Sequence, residues 1–216
     1  MNSVRTLSAL VVLACIGLVA LLLLDLPLPA AGAKLIASSA FVGVAMVSGA
    51  WQSLFGRLLL AGLVLSWFGD MFLVGSTETL FLLGLGAFLL AHVAYIVAFA
   101  VHGVDHRWLL LAALPVTGIA IAATLWLNPY VAPYLAIPVR AYTVVISVMV
   151  IMAFGSRGAG GSLFIFGGAL LFFFSDLSVA ALRLVQTDFP TYVWGLPFYY
   201  GGQLCLALSI SQSRSH

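Results

Sequence analysis

Hydrophobic residues fill eight long stretches of the 216-residue chain, and short runs rich in proline, glycine and charge separate them. Each stretch is close to the ~20 residues that an α-helix needs to cross the hydrocarbon of a bilayer. Short connections favour antiparallel packing of neighbouring helices. The pattern therefore predicts an all-α membrane protein in which residues 1–216 form a single eight-span domain. The predicted spans are residues 5–25, 34–51, 57–74, 79–101, 108–127, 133–154, 160–182 and 191–211.

Composition agrees with this pattern and excludes other classes of protein. Hydrophobic residues make up 64% of the chain and charged residues only 6%, and the mean hydropathy is +1.22. A soluble domain needs far more surface charge, and there is no basic cluster to bind nucleic acid. Cys15 and Cys205 fall in apolar stretches, which favours packing over a disulfide. Arg5 and the Ala-Gly-Ala sequence at 31–33 imitate a signal peptide, but the intervening apolar run is longer than a signal core, so we expect an uncleaved helix.

The basic residues predict an orientation. Lys34 and Arg183 fall near one side of an eight-span arrangement, and the other side carries more positive charge. Positively charged loops stay in the cytoplasm. We therefore expect an integral protein of a bacterial cytoplasmic membrane, with both termini in the cytoplasm. The residues on the positive side are Arg5, Arg57, Arg107, Arg157 and Arg214.

A repeat at half the chain length is a second feature of the pattern. An offset of 106 residues pairs similar residues in the two halves, although general identity at this offset is low. Either chance or a duplication explains the matches. A duplication would give two four-helix halves of the same orientation, related about the membrane normal. The matched pairs are Asp70 with Asp176, Lys34 with Arg140, and Pro27 with Pro133.

Asp70 and Asp176 each interrupt an apolar stretch. A carboxylate in hydrocarbon is costly unless it is paired, protonated or facing water, so an acid within a span indicates a functional site. At ~1.5 Å rise per residue, Asp70 lies ~20 Å along its helix from Arg57, and Asp176 lies ~24 Å from Gly160. Both acids are therefore expected in the outer half of the membrane.

Further polar residues occur at overlapping depths on different spans, and lipid would penalise each of them separately. One polar cavity, open towards the outer leaflet, would satisfy them together. Arg140 and Tyr142 point to different faces of one helix, so only one of them is expected to line the cavity. The candidate binding residues beside the two acids are Lys34, His92, Tyr95, Arg140, Tyr142, Tyr199, Tyr200 and Gln203.

Structural roles remain open for several of these residues. Asp70 and Lys34 can form a packing pair, and His92 can be a hydrogen-bonded packing residue. Tyr199 and Tyr200 can belong to an aromatic belt at the membrane interface. Close helix contacts are expected at four glycines, namely Gly84, Gly86, Gly167 and Gly168.

Five segments form an ordered pattern: GDMFL at 69–73, FLLGLGAFLLAHVAYIVAF at 81–99, PVRAYTVVISVM at 138–149, GGALLFFFSDLSVAALR at 167–183, and the Tyr-Tyr pair at 199–200 with Gln203. This ordered set resembles the lysoplasmalogenase, or YhhN, family of integral membrane vinyl-ether hydrolases, and the resemblance covers most of the chain. Lys34 matches a lysine expected at the start of the second span, although Leu35 stands where the family usually has proline. Tyr142 belongs to the family pattern, whereas position 140 is expected to vary.

The resemblance implies hydrolysis of the vinyl-ether bond of a lysoplasmalogen to a fatty aldehyde and glycerophosphoethanolamine or glycerophosphocholine. Protonation of the alkenyl β-carbon gives an oxocarbenium ion, and two carboxyls in different environments can divide the acid and base roles, as in glycosidases. We expect Asp176, beside three phenylalanines at 172–174, to be the proton donor and Asp70, beside Lys34, to be its ionised partner.

The remaining candidate residues have expected roles as well. His92 and Tyr95 are expected to hold the water or the ether oxygen. A cation is expected to bind the substrate phosphate, and the candidates are Lys34, Arg140 and Arg183. The expected partners are a lysophospholipid and bilayer lipid, with no protein partner, nucleic acid or cofactor. No metal is expected either, because the histidines at 102 and 106 with Asp105 lack a ligand spacing.

Three other classes of function compete with a hydrolase. A proton-coupled transporter of a small or lipid-like substrate is the main alternative, because paired acids in a duplicated bundle suit proton transfer. A metal-dependent lipid amidase needs several histidines within the membrane, and only His92 qualifies. A purely structural membrane protein needs fewer buried polar groups than this chain carries.

Overall fold

The computed structural model describes residues 2–212. This part of the chain forms eight α-helices and no β-strand, which confirms the predicted all-α class. Seven of these helices are long and apolar enough to cross a membrane. Arg214, one of the residues used to predict the orientation, lies outside the described residues. The helices are α1 (Asn2–Leu23), α2 (Pro27–Val47), α3 (Leu54–Phe72), α4 (Glu78–His102), α5 (His106–Leu127), α6 (Ala136–Gly158), α7 (Leu163–Ala180) and α8 (Tyr192–Gln212).

The helix outside that set of seven is α8, although its 21 residues match the length of α2. Tyr199, Tyr200 and Gln203 lower its hydropathy. All three are buried inside the bundle, at 4%, 1% and 0% exposure. The polarity of α8 is therefore directed at other helices rather than at its surroundings.

The start of α2 differs from the predicted boundary. The sequence pattern placed the start of this span at Lys34 and a break at Pro27, but the helix begins at Pro27. Proline is favoured in the first turn of a helix, where its missing N–H has no intrahelical partner in any case. Lys34 therefore lies about two turns inside α2, at 3.6 residues per turn.

Six helices form a ring in the order α2, α3, α4, α6, α7 and α8, in which each helix packs against the next and α8 packs against α2. The other two lie outside it: α1 packs against α2 and α8, and α5 packs against α6. Four connections lie at one end of the bundle, which we call the site end. These connections are residues 24–26, 73–77, 128–135 and 186–191.

Glycines mark some of the close helix contacts. A Cβ atom on Gly168 of α7 would lie 2.9 Å from the Gly202 carbonyl oxygen of α8, and one on Gly84 would lie 2.8 Å from Leu73. Gly86 and its counterpart Gly167, which we also expected at contacts, face open space. The prediction therefore holds for one glycine of each pair.

Candidate functional site

A cavity of about 450 Å³ extends inward from the site end. Asp70 and Asp176 both line it, so the two acids share a cavity as predicted, although the cavity is less polar than expected and five of the candidate binding residues do not line it. Lys34, Tyr142 and Tyr199 line it as well, and most of the remaining lining is apolar. The cavity therefore combines a small number of polar groups with walls suited to a hydrocarbon chain.

Asp70 lies in the last turn of α3 and is only 2% exposed. Its Oδ1 atom is 3.2 Å from Lys34 Nζ. Its Oδ2 atom accepts hydrogen bonds from Ser38 Oγ at 2.7 Å and from Tyr199 OH at 2.6 Å. Lys34 and Ser38 share one face of α2 because they are four residues apart. One cation and two hydroxyl donors match an ionised carboxylate, which only accepts hydrogen bonds.

The glycine that precedes Asp70 has a packing role. A Cβ atom at Gly69 would lie 2.7 Å from the Phe88 ring, so glycine allows Phe88 of α4 to pack against α3. Phe88 in turn contacts the Tyr199 ring edge to face, with centroids 5.8 Å apart. Gly69 therefore makes room for the Phe88 ring, and this ring packs against Tyr199, which donates a hydrogen bond to Asp70.

Asp176 of α7 has a different environment. Its side chain is 17% exposed, and Tyr142 OH of α6 donates a hydrogen bond to its Oδ2 atom at 2.7 Å. His92 Nε2 of α4 is 3.7 Å from the same oxygen, which is too long for a hydrogen bond. In the described part of the chain, neither lysine nor arginine pairs with Asp176. Asp176 therefore accepts a hydrogen bond from one hydroxyl group, where Asp70 meets a cation and two hydroxyl groups.

His92 is fully buried, and its Nε2 atom has no hydrogen-bond partner within residues 2–212. Its ring packs on Phe172 and meets the Tyr142 ring edge to face, with a centroid distance of 5.2 Å to the tyrosine. A buried nitrogen without a partner is costly unless another molecule binds it. His92 does not itself line the cavity, but its Nε2 atom faces Asp176, which does.

Three other candidate residues lie behind the cavity lining rather than in it. Tyr95 OH donates to Gln203 Oε1 at 2.8 Å and lies 3.4 Å from Ser66 Oγ. Tyr200 OH lies 3.2 Å from Ser38 Oγ, the donor to Asp70. These buried hydroxyl and amide groups connect α2, α3, α4 and α8, and they support the residues that face the cavity.

Arg140 does not line the cavity, and its expected binding role is not supported by its position. Its side chain is exposed, and Nη2 donates to Asn128 Oδ1 at 3.2 Å. Tyr142 is two residues further along α6, so it faces the opposite way and reaches Asp176. Of this pair, the tyrosine faces the site.

Ser38 and Ser66 are site-supporting residues that the sequence analysis missed. Ser38 lies four residues after Lys34, and this spacing on one helix face was a usable signal. Ser66 lies four residues before Asp70, but its partner Tyr95 is on another helix, so only the packing of α3 against α4 connects them. Within residues 2–212, no group of three His, Cys, Asp or Glu side chains is placed to hold a metal ion.

Seven helices suited to a bilayer and two acids on one cavity define an integral, polytopic membrane protein with a candidate acid–base site. The chain belongs to the YhhN family, whose sequence model matches residues 29–210. It is similar to lysoplasmalogenase TMEM86B of Sus scrofa, with 33% identity over 158 residues, which cover 72% of this chain and 64% of the relative. The chain thus matches less than two thirds of that relative's length. No solved structure matches the chain.

Proposed function

We propose that the chain hydrolyses the vinyl-ether bond of an alkenyl lysophospholipid, or lysoplasmalogen. The products are a long-chain aldehyde and glycerophosphoethanolamine or glycerophosphocholine. The observation that carries the proposal is the unequal environment of two carboxyls on one cavity: Asp70 is paired with Lys34, whereas no lysine or arginine of residues 2–212 pairs with Asp176. Membership of the YhhN family and the name of the relative from Sus scrofa support the same reaction.

Asp176 acts as the proton donor in this mechanism. Its proton adds to the β-carbon of the vinyl ether, and the ether oxygen stabilises the resulting oxocarbenium ion. Water then attacks the α-carbon and loses a proton to a carboxylate, which gives a hemiacetal. The hemiacetal C–O bond breaks, the glycerol oxygen takes a proton, and an aldehyde forms. The net change is the addition of one water molecule, with the acid restored.

Asp70 acts as the fixed anion of the site. Lys34, Ser38 and Tyr199 hold it in the ionised form, so it stabilises the positive charge of the oxocarbenium ion and orients the water. His92 does not line the cavity, but its Nε2 atom is 3.7 Å from Asp176 and has no hydrogen-bond partner in residues 2–212, so we assign it the role of holding a water beside that carboxyl. The two carboxyls thus divide the roles as a pair of glycosidase carboxyls does.

The proposal includes an eight-span, single-domain topology with α8 as the eighth span. Its length and its contacts with α1, α2, α3 and α7 support this assignment. An even number of spans places both termini on one side, and the positive-inside rule makes that side the cytoplasm. The helix contacts also support two four-helix halves, because α2–α4 and α6–α8 supply three ring helices each while α1 and α5 flank them.

Purified protein in liposomes tests the function. Vesicles are supplied with 1-alkenyl, 1-acyl and 1-alkyl lysophospholipids of equal chain length, and aldehyde release is measured. Only the alkenyl lipid should yield aldehyde, and Asp70→Asn and Asp176→Asn should each lower kcat by at least 100-fold. Asp188→Asn, which makes the same change at an exposed carboxyl outside the cavity lining, serves as the control.

The same experiment separates a hydrolase from the alternative of a proton-coupled transporter. Uptake of an intact lipid or small solute into the vesicles, without any covalent change, would favour the transporter. Near-normal aldehyde release by both folded Asn variants would show that the two carboxyls do not carry the reaction.

A further inference from the structure

Arg183 has an unusual position at the mouth of the cavity. The helix that carries Asp176 does not stop at Ala180 but continues as a π-helical turn, Ala181–Val185. Arg183 lies in this turn, is exposed, and lines the cavity. Its guanidinium carbon is 5.9 Å from the centre of the Phe81 ring, and Nη2 is 3.5 Å from the Leu73 carbonyl oxygen. Contacts from the end of α3 and the start of α4 therefore hold the cation beside the cavity.

The positive charge of Arg183 is not committed to a carboxylate. Lys34 lies at the same end of the bundle but is paired with Asp70. Arg140 bonds to Asn128 and lies outside the cavity. Among residues 2–212, Arg183 is the lining cation that lacks an acidic partner. A planar guanidinium with five N–H donors matches a phosphate group, which it can bind through two hydrogen bonds at once.

The spacing between Arg183 and Asp176 matches the length of a glycerol phosphate. Arg183 follows Asp176 by seven residues, which corresponds to ~10 Å along a helix axis. In a lysolipid with its vinyl ether on a terminal glycerol carbon, seven bonds separate the alkenyl β-carbon from the phosphorus. Three bonds of an extended chain cover ~3.8 Å, so seven cover ~9 Å. A substrate that presents its β-carbon to Asp176 thus brings its phosphate close to Arg183.

We propose that Arg183 binds the phosphate of the lipid head group, so that the site selects lipids with a phosphate one glycerol away from the ether. This inference rests on the proposed function for the identity of the substrate. The ligand that Arg183 would recognise is a singly charged phosphate on a glycerol ether. Arg183 should therefore add nothing to the binding affinity of an alkylglycerol without phosphate.

A binding experiment with ligands that are not hydrolysed tests the phosphate site independently of the reaction. The ligands are 1-alkyl-glycerophosphocholine and 1-alkylglycerol of equal chain length, titrated into purified protein in detergent. Arg183→Gln should weaken binding of the phospholipid at least tenfold and change binding of the alkylglycerol less than twofold. Arg140→Gln, which removes a nearby cation outside the cavity, should change neither. Arg183→Lys should restore part of the affinity, because it keeps the charge but loses the planar fork.

Turnover supplies the second arm of the test. With the alkenyl phospholipid, Arg183→Gln should raise KM at least tenfold and leave kcat within about threefold of the wild-type value. An equal loss of affinity for both ligands, unchanged binding of the phospholipid, or an equal effect of Arg140→Gln would overturn the proposal. If neither the wild-type protein nor any variant releases aldehyde, the assignment as a hydrolase fails. The binding experiment would still decide whether Arg183 binds phosphate.

Discussion

Lys34 Nζ and Asp70 Oδ1 form an ion pair at 3.2 Å, in which the carboxylate is 2% exposed and the lysine side chain 16% exposed. The residue that the 106-residue offset pairs with Lys34 is Arg140, and it turns outward to Asn128 instead of inward to Asp176. The same offset pairs the two acids with each other, but among residues 2–212 a lysine or arginine lies beside Asp70 and not beside Asp176. This difference is the physical basis for assigning them different roles.

The ion pair predicts a non-additive effect on stability. Lys34→Met leaves a buried carboxylate without its cation, and breaking a buried pair costs about 3–5 kcal/mol, somewhat less here because Lys34 is partly exposed. Combining Lys34→Met with Asp70→Asn removes both charges, so the double variant should be more stable than Lys34→Met alone. Thermal unfolding in detergent measures this cycle. Strictly additive changes in the free energy of unfolding would contradict a direct interaction between the two residues.

The hydrogen bond from Tyr142 predicts a loss of rate. Tyr142→Phe removes the donor that holds Asp176 Oδ2, so the carboxyl is no longer fixed towards the substrate. A displacement of ~1 Å in a reacting group costs about 100-fold in rate, and we expect kcat to fall by about 10- to 100-fold. Tyr134→Phe, at a site that is 57% exposed, is the matched control. Equal aldehyde release by the two variants would exclude a role for the Tyr142 hydroxyl.

Much of the fold follows from the sequence because the hydrocarbon imposes a length and an apolar composition on each helix. The ends of α1, α3, α4, α5 and α8 lie within a few residues of their predicted positions. The predicted start of α2 was wrong because proline was treated only as a helix break, whereas Pro27 is the first residue of the helix. Local pattern alone does not distinguish a proline that ends one helix from a proline that starts the next.

The two acids of the site were predictable because the hydrocarbon also restricts where a carboxyl group can lie. An acid in an apolar stretch has few stable surroundings, so Asp70 and Asp176 indicated a shared cavity. The inner layer was not predictable: Tyr95 reaches Gln203 and Ser66 through contacts between α3, α4 and α8. That Arg140 and Tyr142 point in different directions follows from their spacing, but which of them faces the cavity depends on the rotation of α6 about its axis, and a sequence of mostly apolar neighbours does not fix that rotation.

The contact between α7 and α8 predicts contrasting effects for two adjacent glycines. A Cβ atom at Gly168 would lie 2.9 Å from the Gly202 carbonyl oxygen, whereas one at Gly167 meets nothing within 4 Å. Gly168→Ala should therefore push α7 away from α8, displace Asp176 relative to Tyr199, and lower both the unfolding temperature and kcat. Gly167→Ala should leave both unchanged. Comparable stability and activity of the two variants would show that α7 and α8 do not pack as closely as described.

The most direct test of the central claim, that Asp176 protonates the β-carbon of a vinyl ether, is an isotope experiment. Wild-type protein is incubated with an alkenyl lysophospholipid in D₂O, and the aldehyde is trapped at once by borohydride reduction. Mass spectrometry should find one deuterium on the carbon next to the former aldehyde carbon. Aldehyde should form more slowly than in H₂O, and at least 100-fold more slowly with Asp176→Asn than with the wild-type protein. Aldehyde without that deuterium, or unchanged product formation by the folded Asp176→Asn variant, would contradict the account.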